Sequence, residues 1–241
     1  MSPFLVGLVG YRCAAKSTAG RFIRAAGIPT FENETFLHPL AYRRFGHRLS
    51  RAEVAQVFGR EGGSIFHTVG PVLRLLVDLL PVVAVDNIKS QEDVATLQAF
   101  LPAGRIELLH IRCPFAIRLE RFRSRGRERN VTESALLAYD READQLGLAD
   151  AVASARWTID SGGSPGELGI RISAWVAEEL RPAAGVGTRN VHLTARGQRA
   201  FRRRFAAIDD RFFEKLAWSH GEALKCALNA LGLGDPYDTR R

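Results

Sequence analysis

Two adjacent polar residues near the start of the chain, Lys16 and Ser17, have the spacing of a phosphate-binding site. They follow Gly10, which ends a short apolar run, and they open a stretch with helical spacing. A turn between a strand and a helix directs its backbone N–H groups at one point, where they bind an anion. The lysine ammonium neutralises phosphate oxygens, and the serine hydroxyl is a ligand for Mg²⁺. The segment from Gly10 to Thr18 is therefore predicted to cradle the phosphates of a nucleotide.

Two residues of this segment depart from the pattern G-x-x-x-x-G-K-[ST]. Ala15 stands where the second glycine is expected, and Cys13 stands where a further glycine is common. A positive φ at Ala15 would cost on the order of 1 kcal/mol, and its methyl group would crowd the phosphate. Retained and lost nucleotide binding both stay open on the sequence. The predicted nucleotide-binding residues of the loop are Gly10, Arg12, Ala14, Ala15, Lys16, Ser17 and Thr18.

Four short apolar runs are predicted to form the strands that position this loop. They cover residues 4–9, 81–85, 106–111 and 157–159, and segments with helical spacing separate them. Continuous apolar strands that alternate with helices are typical of a parallel sheet covered on both faces. The predicted fold class is therefore α/β, with a doubly wound parallel sheet.

A helix with two chemically different faces is predicted after the third of these strands. Its apolar positions recur at helical spacing and are Phe115, Leu119 and Phe122. Its other face is basic and carries Arg118, Arg121 and Arg125. The next helix is predicted to begin at a cap formed by Thr132 or Asn130 and to run to about Gly147.

The composition favours one globular domain and a partner that carries phosphate. The chain has 241 residues, 46% of them apolar, and a formal net charge of +8. Lysine occurs only at positions 16, 89, 215 and 225, so arginine supplies most of the positive charge. Guanidinium groups bind phosphate through two parallel hydrogen bonds. A disordered or fibrous protein is excluded.

The cysteine content and the hydropathy indicate the cellular compartment in which the protein is expected. Cys13, Cys113 and Cys226 are far apart and form no C-x-x-C pair, so neither a disulfide framework nor a zinc ribbon is expected. No apolar run approaches the roughly 20 residues that cross a bilayer, and the N-terminal segment lacks the features of a signal peptide. We therefore expect a cytoplasmic protein with no membrane partner.

The pattern changes near the end of the chain. Residues 182–190 are rich in proline, glycine and alanine and are predicted to be a linker between a domain at 1–181 and an appendage at 191–241. The appendage is basic and has leucine and phenylalanine at helical spacing. Such helices dock on the parent domain or on a second subunit, which would give a homodimer. Its arginines interleaved with phenylalanines leave nucleic-acid binding as a further alternative.

Three blocks of sequence, in order, resemble the P-loop nucleoside monophosphate kinases, in particular the phage-type deoxynucleoside monophosphate kinases and dephospho-CoA-kinase-like proteins. VGLVGYRCAAKSTAGRFI is similar to their first strand, P-loop and helix. VVAVDNIKSQEDVATLQAF is similar to their strand that ends in aspartate. LLHIRCPFAIRLERFRSRGRERN, followed by LLAYDREADQLG, is similar to their lid, which would cover about 114–147. The resemblance extends over about residues 4–180.

The resemblance implies roles for residues around the phosphates. Lys16 would bind the β- and γ-phosphates, and Ser17 and Asp86 would hold Mg²⁺, with Asp86 also able to orient the acceptor. Lid arginines would close over the transferring phosphoryl group, where little beyond positioning and charge cancellation is needed. These arginines are Arg121, Arg125, Arg127 and Arg129.

The resemblance also implies an acceptor site, with thinner support. Its candidate residues are Glu32, Arg43, Arg60 and Lys89. Lys89 stands where the family commonly has arginine, and Asn87 replaces a glycine. A lysine binds phosphate as a point charge rather than as a planar fork.

The function implied is transfer of the γ-phosphoryl group of ATP, with Mg²⁺, to a nucleoside or deoxynucleoside monophosphate or a similar nucleotide. The departures at Cys13, Ala15, Asn87 and Lys89 motivate an alternative. In that alternative the chain is a catalytically degenerate member of the fold that serves as a nucleotide sensor or an interaction scaffold.

Overall fold

A five-stranded, entirely parallel sheet lies at the centre of the protein. The strands are β1 (Phe4–Val9), β2 (Thr30–Phe31), β3 (Val82–Val85), β4 (Arg105–Arg112) and β5 (Trp157–Asp160), and their order is β2-β3-β1-β4-β5. All six residues of β1 are buried, because β1 lies between β3 and β4 and is covered on both faces. The computed structural model describes residues 4–31, 80–86, 88–101, 105–125 and 131–188, with the single residues 66, 70, 73, 74, 77 and 191.

Helices cover both faces of the sheet, as parallel strands require for their crossover connections. The described helices are α1 (Lys16–Ala25), α2 (Gln91–Phe100), α3 (Phe115–Ser124), α4 (Glu133–Gln145), α5 (Leu148–Ala153) and α6 (Pro165–Trp175). A π-helical turn, Val176–Leu180, and a last helical turn, Arg181–Ala183, extend α6. Helices α1 and α6 pack together on one face, and α2 and α5 pack together on the other.

The core forms where alternate residues of β1 meet the helices. Leu8 of β1, Ile23 of α1 and Ile172 of α6 are fully buried in one cluster. On the opposite side, Leu97 of α2 and Ala151 of α5 are also fully buried. Burial of each large aliphatic side chain stabilises the fold by roughly 1.5–3 kcal/mol. The predicted α/β class is confirmed, and the four predicted strands agree with the observed ones to within one residue at each end.

Helix α4 begins where the sequence indicated. The Thr132 hydroxyl accepts a hydrogen bond from the Ala135 amide at 3.2 Å and so caps the first turn. The cap fixes the start of the second of the two helices that follow β4, and the pair then lies over the loop between β1 and α1. We call α3 and α4 together the lid pair.

The described part of the predicted linker packs against the core. Ala184 is buried, and Arg181 donates to the carbonyl oxygens of Ala26, at 2.9 Å, and Gly187. The Val191 amide donates to the Gly27 carbonyl at 2.7 Å. The boundaries of the domain and the appendage stay predictions. Residues 192–241, on which the predicted homodimer and the nucleic-acid alternative depend, lie outside the described residues.

Membrane spanning can be assessed only within the described ranges. In them, no helix is both long and apolar enough to cross a bilayer.

The carboxyl ends of the strands carry the polar residues of interest. Gly10 follows β1, Asp86 follows β3 and Cys113 follows β4. Parallel strands bring these ends to one edge of the sheet, which is where ligands bind in open α/β folds. Gly10 has a φ of +149°, and a Cβ added there would lie 2.6 Å from the Ile111 carbonyl oxygen. Only glycine therefore fits where the chain leaves β1.

We predict that Gly10→Ala destabilises the protein by on the order of 2–4 kcal/mol, because the new Cβ meets both a strained φ and a backbone oxygen. Gly166→Ala, in the first turn of α6, is the matched control, since its Cβ would have only the Ser164 hydroxyl within reach, at 3.9 Å. That variant should be unchanged or up to about 1 kcal/mol more stable. Urea unfolding measures both, and equal losses in the two variants would contradict the prediction.

Candidate functional site

The loop between β1 and α1 has the backbone of a glycine-rich turn although two of its residues are not glycine. Cys13 has a φ of +64° and Ala15 a φ of +66°, both in the left-handed region. In the described part of the chain these are the two non-glycine residues with positive φ. Each costs roughly 1–2 kcal/mol relative to glycine. The strain foreseen for Ala15 is therefore present, and Cys13 carries it too.

The first turn of α1 is open to an external acceptor. The helix begins at Lys16, its N-cap residue is Ala15, and no side chain caps it. The first N–H groups of a helix have no acceptor within the helix, and the positive end of the helix dipole lies there. Lys16 Nζ donates to the carbonyl oxygens of Gly10, at 2.5 Å, and Tyr11, at 3.2 Å. The ammonium group thus crosses the loop beside the helix N-terminus.

Positive charge is concentrated around Lys16. Burial lowers the pKa of Lys16 from 10.5 to about 8, while the Asp86 carboxylate acts in the opposite direction. The positive charges of Lys89 and Arg125 lower the pKa further. Lys89 and Arg125 each disfavour the charged form of Lys16, and an anion bound beside Lys16 would offset that effect.

Ser17 and Asp86 meet below the loop. The Ser17 hydroxyl donates to Asp86 Oδ2 at 2.9 Å, across 69 residues of sequence. Asp86 is only 4% exposed, and its amide donates to the Phe31 carbonyl at 2.8 Å, which fixes it at the end of β3. The structure therefore brings the two predicted metal-binding residues together.

The oxygen atoms of this pair suit Mg²⁺, which prefers hard oxygen ligands. Among the described residues no group of three or more histidine, cysteine, aspartate or glutamate side chains could hold a metal on its own. Mg²⁺ is usually bound by one or two protein oxygens together with phosphate oxygens and water. The pair therefore fits a metal that arrives with a nucleotide.

Arg118, on the face of α3 that the sequence marks as basic, is buried and not open to solvent. Its guanidinium forms a two-pronged ion pair with the Asp140 carboxylate of α4, at 2.8 and 2.7 Å, and its side chain is 7% exposed. Arg118 Nη1 also donates to the Arg12 carbonyl at 3.3 Å. The arginine joins α3, α4 and the loop, because its partner lies on the next helix of the lid pair.

Arg121 and Arg125, the other two arginines predicted on the basic face of α3, have different surroundings. Arg121 donates to the carbonyl oxygens of Ser161, at 2.5 Å, and Gly163, at 3.2 Å, in the loop after β5. Arg125, at the C-terminal end of α3, is exposed and acts on the pKa of Lys16. Arg127 and Arg129 lie outside the described residues. The catalytic role of each predicted lid arginine stays a prediction.

The loop after β5 is tied to the phosphate loop by a buried hydroxyl. Ser161 is 1% exposed, and its Oγ lies 2.8 Å from the Ala14 carbonyl oxygen and 3.0 Å from that of Arg112. Sequence reasoning did not find this link to Ala14. A single serine at a strand end carries no signal that a carbonyl 147 residues away will be its partner.

A cavity of about 190 Å³ opens beside the phosphate loop. Its lining residues are Tyr11, Ala14, His110, Ile111, Arg112, Cys113 and Arg118. Burial lowers the pKa of His110, and the positive charges of Arg112 and Lys16 lower it further. The imidazole is therefore mainly neutral at pH 7, with one ring nitrogen as a donor and the other as an acceptor.

The acceptor side of the site is described only in part. Lys89 is exposed, and its amide donates to Asp93 Oδ2 at 2.7 Å, just before the start of α2. This bond fixes the backbone of Lys89, and the positive charge of its side chain lowers the pKa of Lys16. The other predicted acceptor residues, Glu32, Arg43 and Arg60, lie outside the described residues, as does Asn87.

The chain has measurable likeness to known proteins in both sequence and fold. No protein-family model matches it. A UPF0200/UPF0201 protein of Archaeoglobus fulgidus is 30% identical over 168 residues, which are 66% of this chain and 51% of that protein. This chain therefore spans about half the length of that curated relative.

Two solved structures share the fold. TT1252 of Thermus thermophilus superposes with a TM-score of 0.52 and 20% identity over 74% of this chain and 99% of that one. Shikimate kinase of Bacteroides thetaiotaomicron superposes with a TM-score of 0.50 and 14% identity over 77% of this chain and all of that one (100%). The chain is thus an α/β protein with the P-loop kinase fold. The narrower resemblance to nucleoside monophosphate and dephospho-CoA kinases stays a prediction.

We predict that ATP affinity falls as the pH rises above about 8, the pKa of Lys16. The ammonium form binds phosphate and the neutral amine does not, so the loss should approach about tenfold per pH unit. The triphosphate itself does not titrate in this range, because its last pKa is near 6. Calorimetry between pH 7.5 and 9.5 measures the effect.

Lys16→Arg is the control for this pH dependence. Arginine stays charged throughout the range, so the affinity of this variant should be nearly constant with pH. If ATP affinity depended on pH equally in the two proteins, a group other than Lys16 would be responsible.

Proposed function

We propose that the protein is a phosphotransferase that moves the γ-phosphoryl group of ATP to a nucleoside or deoxynucleoside monophosphate or a similar nucleotide acceptor. One observation carries this proposal. Lys16 lies at a helix N-terminus that no side chain caps, and the hydrogen-bonded pair of Ser17 and Asp86 lies next to it. An ammonium, free backbone donors and a carboxylate with a hydroxyl are the parts that a nucleoside triphosphate with Mg²⁺ requires. The likeness in fold to a protein named as a kinase supports the same class of reaction.

The triphosphate would be held mainly by the loop. The N–H groups at the start of α1 would donate to its β-phosphate, and Lys16 would exchange its two carbonyl acceptors for phosphate oxygens. Thr18, in the first turn of α1 next to Ser17, is the remaining loop hydroxyl near the phosphates. Cys13 and Ala15 already have the strained φ in the protein without ligand, so this strain does not weaken binding.

Mg²⁺ would be held by Ser17 and Asp86. The ion would neutralise charge on the β- and γ-phosphate oxygens and orient them. Asp86 is well suited to this role because its burial at the end of β3 leaves it little freedom to move.

Negative charge that develops on the transferring phosphoryl group would be stabilised by the cations that act on Lys16. Arg125 and Lys89, whose positive charges lower the pKa of Lys16, are proposed to supply this charge, and Arg127 and Arg129 are proposed to join them. Arg121 is proposed to hold the loop after β5 in place through the carbonyl oxygens of Ser161 and Gly163. Preorganised charges of this kind usually supply the largest part of the rate enhancement.

The acceptor is proposed to be a nucleotide because a second phosphate suits the basic acceptor residues. Lys89 would bind the acceptor phosphate, and Glu32, Arg43 and Arg60 would bind the rest of the acceptor. Lysine in place of a forked guanidinium would hold that phosphate with less directional preference.

A second candidate function is favoured by Cys13 and Ala15. Both carry a strained backbone conformation, and the Cys13 side chain is buried among residues of the lid pair. A protein that binds ATP and transfers nothing would be a nucleotide sensor. Calorimetry with ATP and Mg²⁺, followed by an ADP-release assay over a panel of acceptors, separates the two functions.

We predict that Lys16→Ala lowers turnover by roughly 10³-fold or more, because it removes the main charge at the β- and γ-phosphates. ADP release with the best acceptor from a panel of nucleoside monophosphates, deoxynucleoside monophosphates and dephospho-CoA measures it. Arg156→Ala is the control, since it also removes one positive charge but lies at the N-terminal end of β5, where it pairs with Glu107 at 3.0 Å. Full activity in Lys16→Ala would sink the proposal.

We predict that Lys89→Met raises the KM for the acceptor by about tenfold and leaves the KM for ATP within about twofold, because one phosphate contact is worth about 1.4 kcal/mol. Steady-state kinetics with each substrate varied in turn gives both constants. A larger change in the KM for ATP would instead assign Lys89 to the nucleotide.

A further inference from the structure

Three consecutive residues of the phosphate loop contact the lid pair. The Tyr11 hydroxyl donates to Asp144 Oδ1 of α4 at 2.7 Å. The Arg12 guanidinium lies 4.0 Å from the centre of the Tyr139 ring, also on α4. Cys13 is buried in a cluster with residues of α3 and α4, which are Leu119, Phe122 and Leu136. The loop thus presents an ordered series of polar, cationic and apolar contacts to the same two helices.

The contact made by Cys13 differs from the other two because its backbone is strained. At a φ of +64° glycine would be preferred, so the side chain is kept at a conformational cost. Ala15 has the same strain, with a φ of +66°, but it packs against the main core cluster and not against the lid pair. The two residues therefore form a natural comparison between strain alone and strain with a lid contact.

The position of α3 determines where Arg125 lies. Leu119 and Phe122, which enclose Cys13, belong to the same helix as Arg125, whose residue forms the C-terminal cap of α3. Phe122 is 1% exposed and lies one helical turn before Arg125. A shift of α3 relative to the loop would therefore move Arg125 relative to Lys16 as well.

The rest of the lid pair follows α3. The buried ion pair between Arg118 and Asp140 joins α3 to α4, and Arg118 also donates to the Arg12 carbonyl. Breaking such a pair in a buried position costs about 3–5 kcal/mol in measured cases, so the two helices are expected to move as one unit.

We propose that Cys13 is a positioning residue: its buried side chain fastens the lid pair to the phosphate loop and thereby fixes where the C-terminal end of α3, which carries Arg125, lies relative to that loop. The proposal rests on the proposed function only where it concerns nucleotide binding. The fastening itself is a property of the protein without ligand.

The first test compares Cys13→Gly with Ala15→Gly by hydrogen exchange without ligand. Both variants remove the same backbone strain, and only the first removes a lid contact. We expect amide exchange in α4 to become at least about tenfold faster in Cys13→Gly and to stay within about twofold of the parent in Ala15→Gly. Cys13→Ala, which restores part of the apolar side chain, should recover part of the protection. Equal exchange of α4 in the two glycine variants would overturn the fastening.

The second test is a double-mutant cycle on ATP affinity with Cys13→Gly and Arg125→Met. If Cys13 acts through Arg125, each single variant weakens binding, and the double variant is no weaker than Arg125→Met alone. Additive losses would overturn the positioning role. A merely destabilising effect of Cys13→Gly would not depend on the residue at position 125.

Failure of the proposal and failure of the proposed function give different results. If the parent protein does not bind ATP, the proposed function and the positioning role are both wrong, while the exchange experiment still decides the fastening. If the parent binds ATP and the cycle is additive, the proposed function stands and the positioning role is wrong.

Discussion

The backbone turn between β1 and α1 is the constraint on which the site depends. It directs the start of α1 towards the carboxyl edge of the sheet, and it does so with Cys13 and Ala15 in a conformation that glycine prefers. Contacts from three directions hold it. Lys16 bonds to the carbonyl oxygens that open the turn, Ser161 bonds to that of Ala14, and the lid pair encloses Cys13. Strain of roughly 1–2 kcal/mol at each position persists only where the surroundings determine the backbone in this way.

Electrostatics give this turn its chemical character. Burial and the neighbouring cations lower the pKa of Lys16 to about 8, so its charge is held at a cost that a bound anion would repay. Asp86 opposes this effect and also binds the Ser17 hydroxyl. The site thus contains a cation that can bind phosphate and a carboxylate that can bind the metal ion associated with that phosphate.

Several elements of the fold could be predicted because their causes are local. β1 is an uninterrupted apolar run, and the start of α4 has a threonine that can cap it. The approach of Lys16, Ser17 and Asp86 was expected from the resemblance to P-loop kinases, and it is explained by parallel strands that end at one edge of the sheet. The burial of Arg118 could not be predicted because helical spacing does not reveal that Asp140, 22 residues later, is its partner.

The sequence by itself determined the strands, the helices and the kind of chemistry at the turn, because apolar period, capping and residue type act over a few neighbouring residues. Only the tertiary structure decided which cations surround Lys16, which carbonyl oxygens Ser161 and Arg121 bind, and that Cys13 is enclosed by the lid pair. Those contacts join residues far apart in the chain, and their geometry exists only once the sheet and the helices have packed.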